Sequence, residues 1–158
     1  MGIKMITPMT EVSLVIHRSM EIIREEVMRA LSYLGEVCVR KIKDRTAQES
    51  WIDQTGNLRS SIGYAIYEYG RKEIESAFRV VKKGHEGVLE GQKMIDELAR
   101  MYSNTYALVV VAGMNYAEYV EAKDNKDVLA STELFARKEV DKYLKQAKAR
   151  AIRKIEKL

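Results

Sequence analysis

Apolar residues recur at alternating steps of four and three along the first third of the chain, at Ile16, Met20, Ile23, Val27, Ala30, Leu34 and Val37. This spacing predicts a single seam on a long helix from about residue 8 to about 47, with Thr7 before Pro8, or Thr10 with Glu11, marking its start. Leu31, Cys38 and Ile42 widen the stripe beyond a strict two-position heptad. A wide stripe favours packing on a sheet or on neighbouring subunits, with an isolated two-stranded coiled coil as the alternative.

Further on the period changes to two. Thr55, Gly56 and Asn57 predict a turn that feeds a strand, in which Ile62, Tyr64 and Ile66 point to one face and Gly63, Ala65 and Tyr67 to the other. Gly70, Arg71 and Lys72 then predict the bend of a β-hairpin spanning about 61–81, its second strand alternating from Ile74 to Val81. Gly84 and Gly87 bracket a loop before a helix over about 88–102, and the unbroken apolar run at 106–112 predicts a central strand buried on both faces. Gly113 ends that strand ahead of a short helix carrying Tyr116, Tyr119 and Val120. Residues 127–130 suit a last edge strand. Ser131 or Thr132 would then cap a helix over about 132–157, with Val140, Leu144, Ala147, Ala151, Ile155 and Leu158 as its apolar stripe. The order predicts one α+β domain over residues 1–158, with long N-terminal and C-terminal helices packed on a small, mostly antiparallel sheet.

Composition supports a folded chain. Of 158 residues 46% are hydrophobic and 32% charged, with one proline, enough for a core and for a polar surface. The longest apolar run is about half the roughly 20 residues of a membrane-spanning helix, and the N-terminus does not read as a secretion signal. One cysteine, Cys38, precludes an internal disulfide framework and points to a reducing compartment. The net charge of +4 is a local property: residues 137–158 hold nine Lys or Arg against three Asp or Glu. Arg137, Lys138, Lys142, Lys145, Lys148, Arg150, Arg153 and Lys154 form a candidate electrostatic contact surface, for water, an acidic protein face or nucleic acid.

Candidate chemistry is sparse. His17 lies beside the helical seam and His85 in the glycine loop, while Cys38 sits on the apolar stripe, where a buried thiol is inert. One Cys and two distant His do not make a structural zinc site, and the sequence around Gly84 and Gly87 lacks the pattern of a phosphate loop. Ser60 and Ser61 read as turn and strand-edge hydrogen bonders, and Glu118 with Glu121 as a solvated face with a weaker metal reading. No catalytic residue, cofactor or metal is expected. Tyr64, Tyr67, Tyr69, Tyr102, Tyr106, Tyr116 and Tyr119 are amphipathic rings suited to interfaces or to the core, with the core favoured for Tyr64 and Tyr116.

Two blocks carry a family likeness: Thr55, Gly56, Asn57, Leu58, Arg59, Ser61 and Ile62, then Tyr116, Ala117, Tyr119, Val120 and Glu121. In this order and spacing they resemble the tail-completion, or head-tail joining, proteins of long-tailed bacteriophages, a likeness reaching across about residues 10–145. Many members continue the second block with a glycine-bearing loop where this chain reads AKDNKDVLAS. The resemblance implies a virion protein, found in the host cytoplasm during assembly, that joins the head connector to the tail by binding alone. It implies a homo-oligomeric ring, six-fold, flanked by a head-side adaptor and a tail terminator or tail-tube protein. No membrane is expected, and nucleic acid at most without sequence preference. The alternative is a small cytosolic nucleic-acid-binding protein that uses the basic C-terminal helix.

Overall fold

A computed structural model describes residues 7–46, 48–122 and 127–158, and its architecture is the expected α+β. Helix α1 spans Met9–Lys43 and is followed by a one-turn helix α2, Asn57–Ser60. Strands β1, Ile62–Glu68, and β2, Arg71–Glu75, form the hairpin. Helix α3, His85–Leu98, tightens into a 3₁₀ turn at Ala99–Tyr102 and leads to β3, Tyr106–Ala112. Helices α4, Ala117–Ala122, and α5, Ala130–Ile155, complete the order.

The antiparallel sheet runs β2-β1-β3, so β1 is central and β3 lies at an edge, contrary to the expectation from its apolar run. The reason lies in the small residues of β1. Gly63 and Ala65 let Phe78 and α3 close on one face while Tyr64 and Ile66 meet α1 on the other, burying β1 from Ile62 to Tyr67. On one side Tyr64 and Ile66 meet Met28 and Leu31 of α1; on the other Ala65 and Tyr67 meet Ile95 of α3. Tyr67 is therefore core, its hydroxyl donating to the Ile95 carbonyl. Tyr64 is core as expected, and Tyr69 is exposed.

The hairpin is shorter than its alternation suggests. Tyr69 and Gly70, both at positive φ, make the two-residue turn, and Arg71 and Lys72 already belong to β2. After β2 the Ser76 N–H donates to the Tyr64 carbonyl, but Phe78 then leaves the sheet and wedges between β1 and α3. A Cβ built on Gly63 or Gly91 would sit 2.3 or 2.5 Å from the Phe78 ring, which explains the glycines and ends the strand.

Helix α1 stops at Lys43, short of the expected end, where the Asp44 N–H closes the last turn on the Arg40 carbonyl; the expected end itself falls on residue 47, outside the described residues. Its seam is buried only in the C-terminal half. Ala30, Leu34 and Cys38 are covered, whereas Ile16, Met20 and Ile23 remain 55%, 64% and 47% exposed. Helix α5 packs antiparallel on α1 in constant register: Arg45 meets Ser131, Lys41 lies over Phe135, Tyr33 meets Tyr143, and Glu26 meets Arg150. Residues 127–129 form no strand; α5 starts earlier than expected, with the residues ahead of it drawn onto Arg45.

Candidate assembly junction

The two sequence blocks, more than fifty residues apart, converge. Leu58 and Ile62 share one hydrophobic cluster with Ala117, with Ile42 of α1, Trp51 and Val128, and Val120 packs against it. What the first block builds is a helical turn, where alternation and turn residues alone predicted a bend. Gly56 holds φ 86° there, and a Cβ on it would lie 1.9 Å from the Val81 carbonyl oxygen. The Gly56 N–H donates to Asp53 Oδ1 at 3.0 Å, and the Asn57 side chain bridges to α3, donating to Glu86 Oε2 at 3.0 Å and accepting from the Gly87 N–H.

Most polar groups of this region are spent on helix ends. Arg59 donates to the carbonyls of Lys43, an orphan acceptor at the end of α1, and of Arg45 just beyond it, while its guanidinium lies 5.3 Å from the Trp51 ring centroid and 3.6 Å from Asp53. Ser60 accepts the Val81 N–H and Ser61 donates to the Leu58 carbonyl, as expected of turn serines. Glu121 Oε1 accepts the N–H groups of Leu129 at 3.0 Å and Ala130 at 2.6 Å, placing a carboxylate at the start of α5 where the helix dipole favours it. That bonding replaces the Ser131 or Thr132 cap foreseen from sequence; those two hydroxyls instead accept from Arg45.

Two exposed tyrosines stand at the rim. Tyr119 is 64% exposed and Tyr116, expected in the core, is 36% exposed. Burial and the nearby Asp53 carboxylate push the Tyr116 phenol above its ordinary range, with Thr55 beside it acting the other way. His85, read as a loop residue, is the first residue of α3. Among the described residues no cluster of His, Cys, Asp and Glu is arranged to hold a metal ion.

The basic set divides in two. Lys138, Lys145, Lys148 and Arg153 are exposed on α5, and Arg137 and Lys142 pair with Glu133 and Glu139 of the same helix. Arg150 and Lys154 turn inward instead, to a Glu26 carboxylate that is 1% exposed, at 2.6 and 2.8 Å. Hydrogen bonds from Lys154 and then Arg150 pull Glu26 down to about 2. They are therefore part of the α1–α5 contact, and the candidate electrostatic surface loses them as outward charges.

Sequence reasoning missed the Arg45 hub. Its guanidinium binds the carbonyls of Asp127 and Val128, the hydroxyls of Ser131 and Thr132, and the Asp127 carboxylate at 3.1 Å. No periodicity marks it. Glu26 was more legible, being a charge beside the seam residue Val27 in a chain whose other long helix is basic. No protein-family model, curated protein or solved structure matches the chain.

Proposed function

We propose that the chain is a structural virion protein of a tailed phage that completes the tail, or joins the head connector to it, by protein–protein binding. The observation that carries this reading is the junction itself. Both blocks that resemble tail-completion proteins fall in one place, and their polar groups cap α1 and α5 and tie α2 to α3. Such a junction fixes the relative angle of several helices, which a load-transmitting ring component needs. Its rim presents Tyr116 and Tyr119, amphipathic rings of the kind enriched at protein interfaces. Neighbouring copies would close a six-fold ring through heterologous contacts, and exposed lysines of α5 would guide docking on an acidic neighbour.

Removing the protein from a phage that encodes it should leave full heads beside separate finished tails by electron microscopy. Normal infectious particles would refute the reading. A second reading, binding to nucleic acid, is favoured by Lys138, Lys145, Lys148 and Arg153 lying exposed on one helix. It requires retention of duplex DNA that falls steeply as salt rises, a behaviour not expected of a neck component.

A further inference from the structure

We infer that the uncovered face of the α1–α5 helix pair is a contact surface for a second copy of this chain, docked as an antiparallel α1–α1 pair. This goes beyond the proposed function and does not depend on it.

Geometry sets the face apart. The sheet reaches along α1 only as far as Arg24, where Glu68 and Glu73 bind the guanidinium at 2.7 and 2.6 Å. The register of α5 on α1 places Ile155, its last helical residue, level with Glu21. Residues Met9 to Met20 of α1 thus continue for about 18 Å, at 1.5 Å per residue, beyond both neighbours. On that stretch the seam that is core lower down remains open at Ile16 and Met20, and Ile23, just inside the end of α5, is still exposed. Beside it runs a groove of about 290 Å³ between Ile23 and Val27 of α1 and Leu144, Ala151, Ile152 and Ile155 of α5. Among the described residues Lys148 is the one charged member of its lining. Acidic proteins and nucleic acid are poor occupants of such a surface.

The occupant follows from continuity with an interface already formed. Lower on α1 the same seam is covered by α5, an antiparallel helix whose Val140, Leu144, Ala147 and Ala151 repeat at steps of four, three and four. The exposed part of α1 has that spacing itself, in Ile16, Met20 and Ile23, and half-buried Val27 continues it into the groove. Two copies placed antiparallel about a two-fold axis set Ile16 opposite Val27 and Met20 opposite Ile23, so one surface satisfies both partners. Four turns of helix plus the groove remove on the order of 600 Å² per copy, or about 1,200 Å² in total, at the threshold of a specific complex. A two-fold contact closes on itself, so the pair describes the free protein, and any ring would use other faces.

Sedimentation equilibrium of the purified chain between about 1 and 100 μM tests this, the range where an interface at that threshold should associate. A dimer mass is expected at the upper end, and Ile16→Asp with Met20→Asp should return the protein to a monomer that melts as the parent does at the dilute end, since both side chains are exposed in the single chain. A monomer throughout, or a variant mass equal to that of the parent, would overturn the proposal. Register is read separately by oxidising a mixture of Met20→Cys and Ile23→Cys variants, the buried Cys38 taking no part. The mixed disulfide should dominate; homodimers of the Met20→Cys variant would show a parallel pair and reject the antiparallel one. A dimer in a protein whose deletion leaves normal phage would keep this contact and remove the neck reading.

Discussion

Glu26 and Arg150 stand 124 positions apart in sequence and 2.6 Å apart in space, with Lys154 closing on the other carboxylate oxygen at 2.8 Å. The carboxylate is buried, while its two main partners keep partial access to water, so the three groups are not equivalent.

Removing either cation leaves Glu26 one strong partner, whereas removing both leaves a buried carboxylate with only Arg29, at 3.4 Å, nearby. Arg150→Ala and Lys154→Ala should each cost about 1 kcal/mol, and the double variant about 3 kcal/mol or more, beyond the sum of the two. Urea titration of the four proteins measures this. Additive losses would show that the carboxylate is not held as a unit.

Acid should loosen the same contact. The folded Glu26 is pulled from 4.5 to about 2. Its stabilisation is therefore complete above the unfolded value and is lost as pH falls through the interval down to about 2. Denaturation midpoints should decline across that window, and Glu26→Gln should flatten the decline while lowering stability at neutral pH. An identical acid profile in the variant would assign the effect to other carboxylates.

Gly56 combines a left-handed backbone with a carbonyl 1.9 Å from where a Cβ would stand. Gly56→Ala should cost about 3 kcal/mol and reduce protection of the α2 and β1 amides in hydrogen exchange. A control is Ala149→Gly on the exposed face of α5, expected to cost only about 1 kcal/mol. Equal losses in the two variants would show that the turn at Gly56 relaxes to admit a side chain.

Arg45 uses a planar fork to reach two carbonyls, two hydroxyls and a carboxylate at the start of α5. A lysine keeps the charge but not the fork. Arg45→Lys should lose about 2 kcal/mol, close to Arg45→Ala, and fray the first turn of α5 as read by exchange. Retention of wild-type stability by the lysine variant would show that charge alone suffices.

These residues also mark where sequence reading succeeds. Helices α1 and α5 and strand β1 were legible because periodicity records which side chains face a core, and Tyr64 and Cys38 fell where their stripes place them. Periodicity does not record how far the neighbouring layer extends. The seam of α1 therefore read as one continuous stripe for a sheet or neighbouring subunits, although cover within the chain ends near Arg24, and the apolar β3 looked central, although β1 with Gly63 and Ala65 takes that place. Phe78 preserves an alternating pattern after the sheet has stopped, since its ring packs against glycines and not across a strand pair. At the junction the block residues were visible as a set, but their work of binding backbone carbonyls and N–H groups depends on helix ends brought together from distant segments.

The pairing of α1 with α5 also orders events at the ribosome. The first long helix to emerge contributes Met28, Leu31 and Cys38 to a core whose outer layer, with Ala136 and Val140, is made last, so those residues wait through most of translation for their covering helix. A nascent chain stalled before Ala130 should accordingly bind holdase chaperones through α1, and should release them once α5 has cleared the exit tunnel.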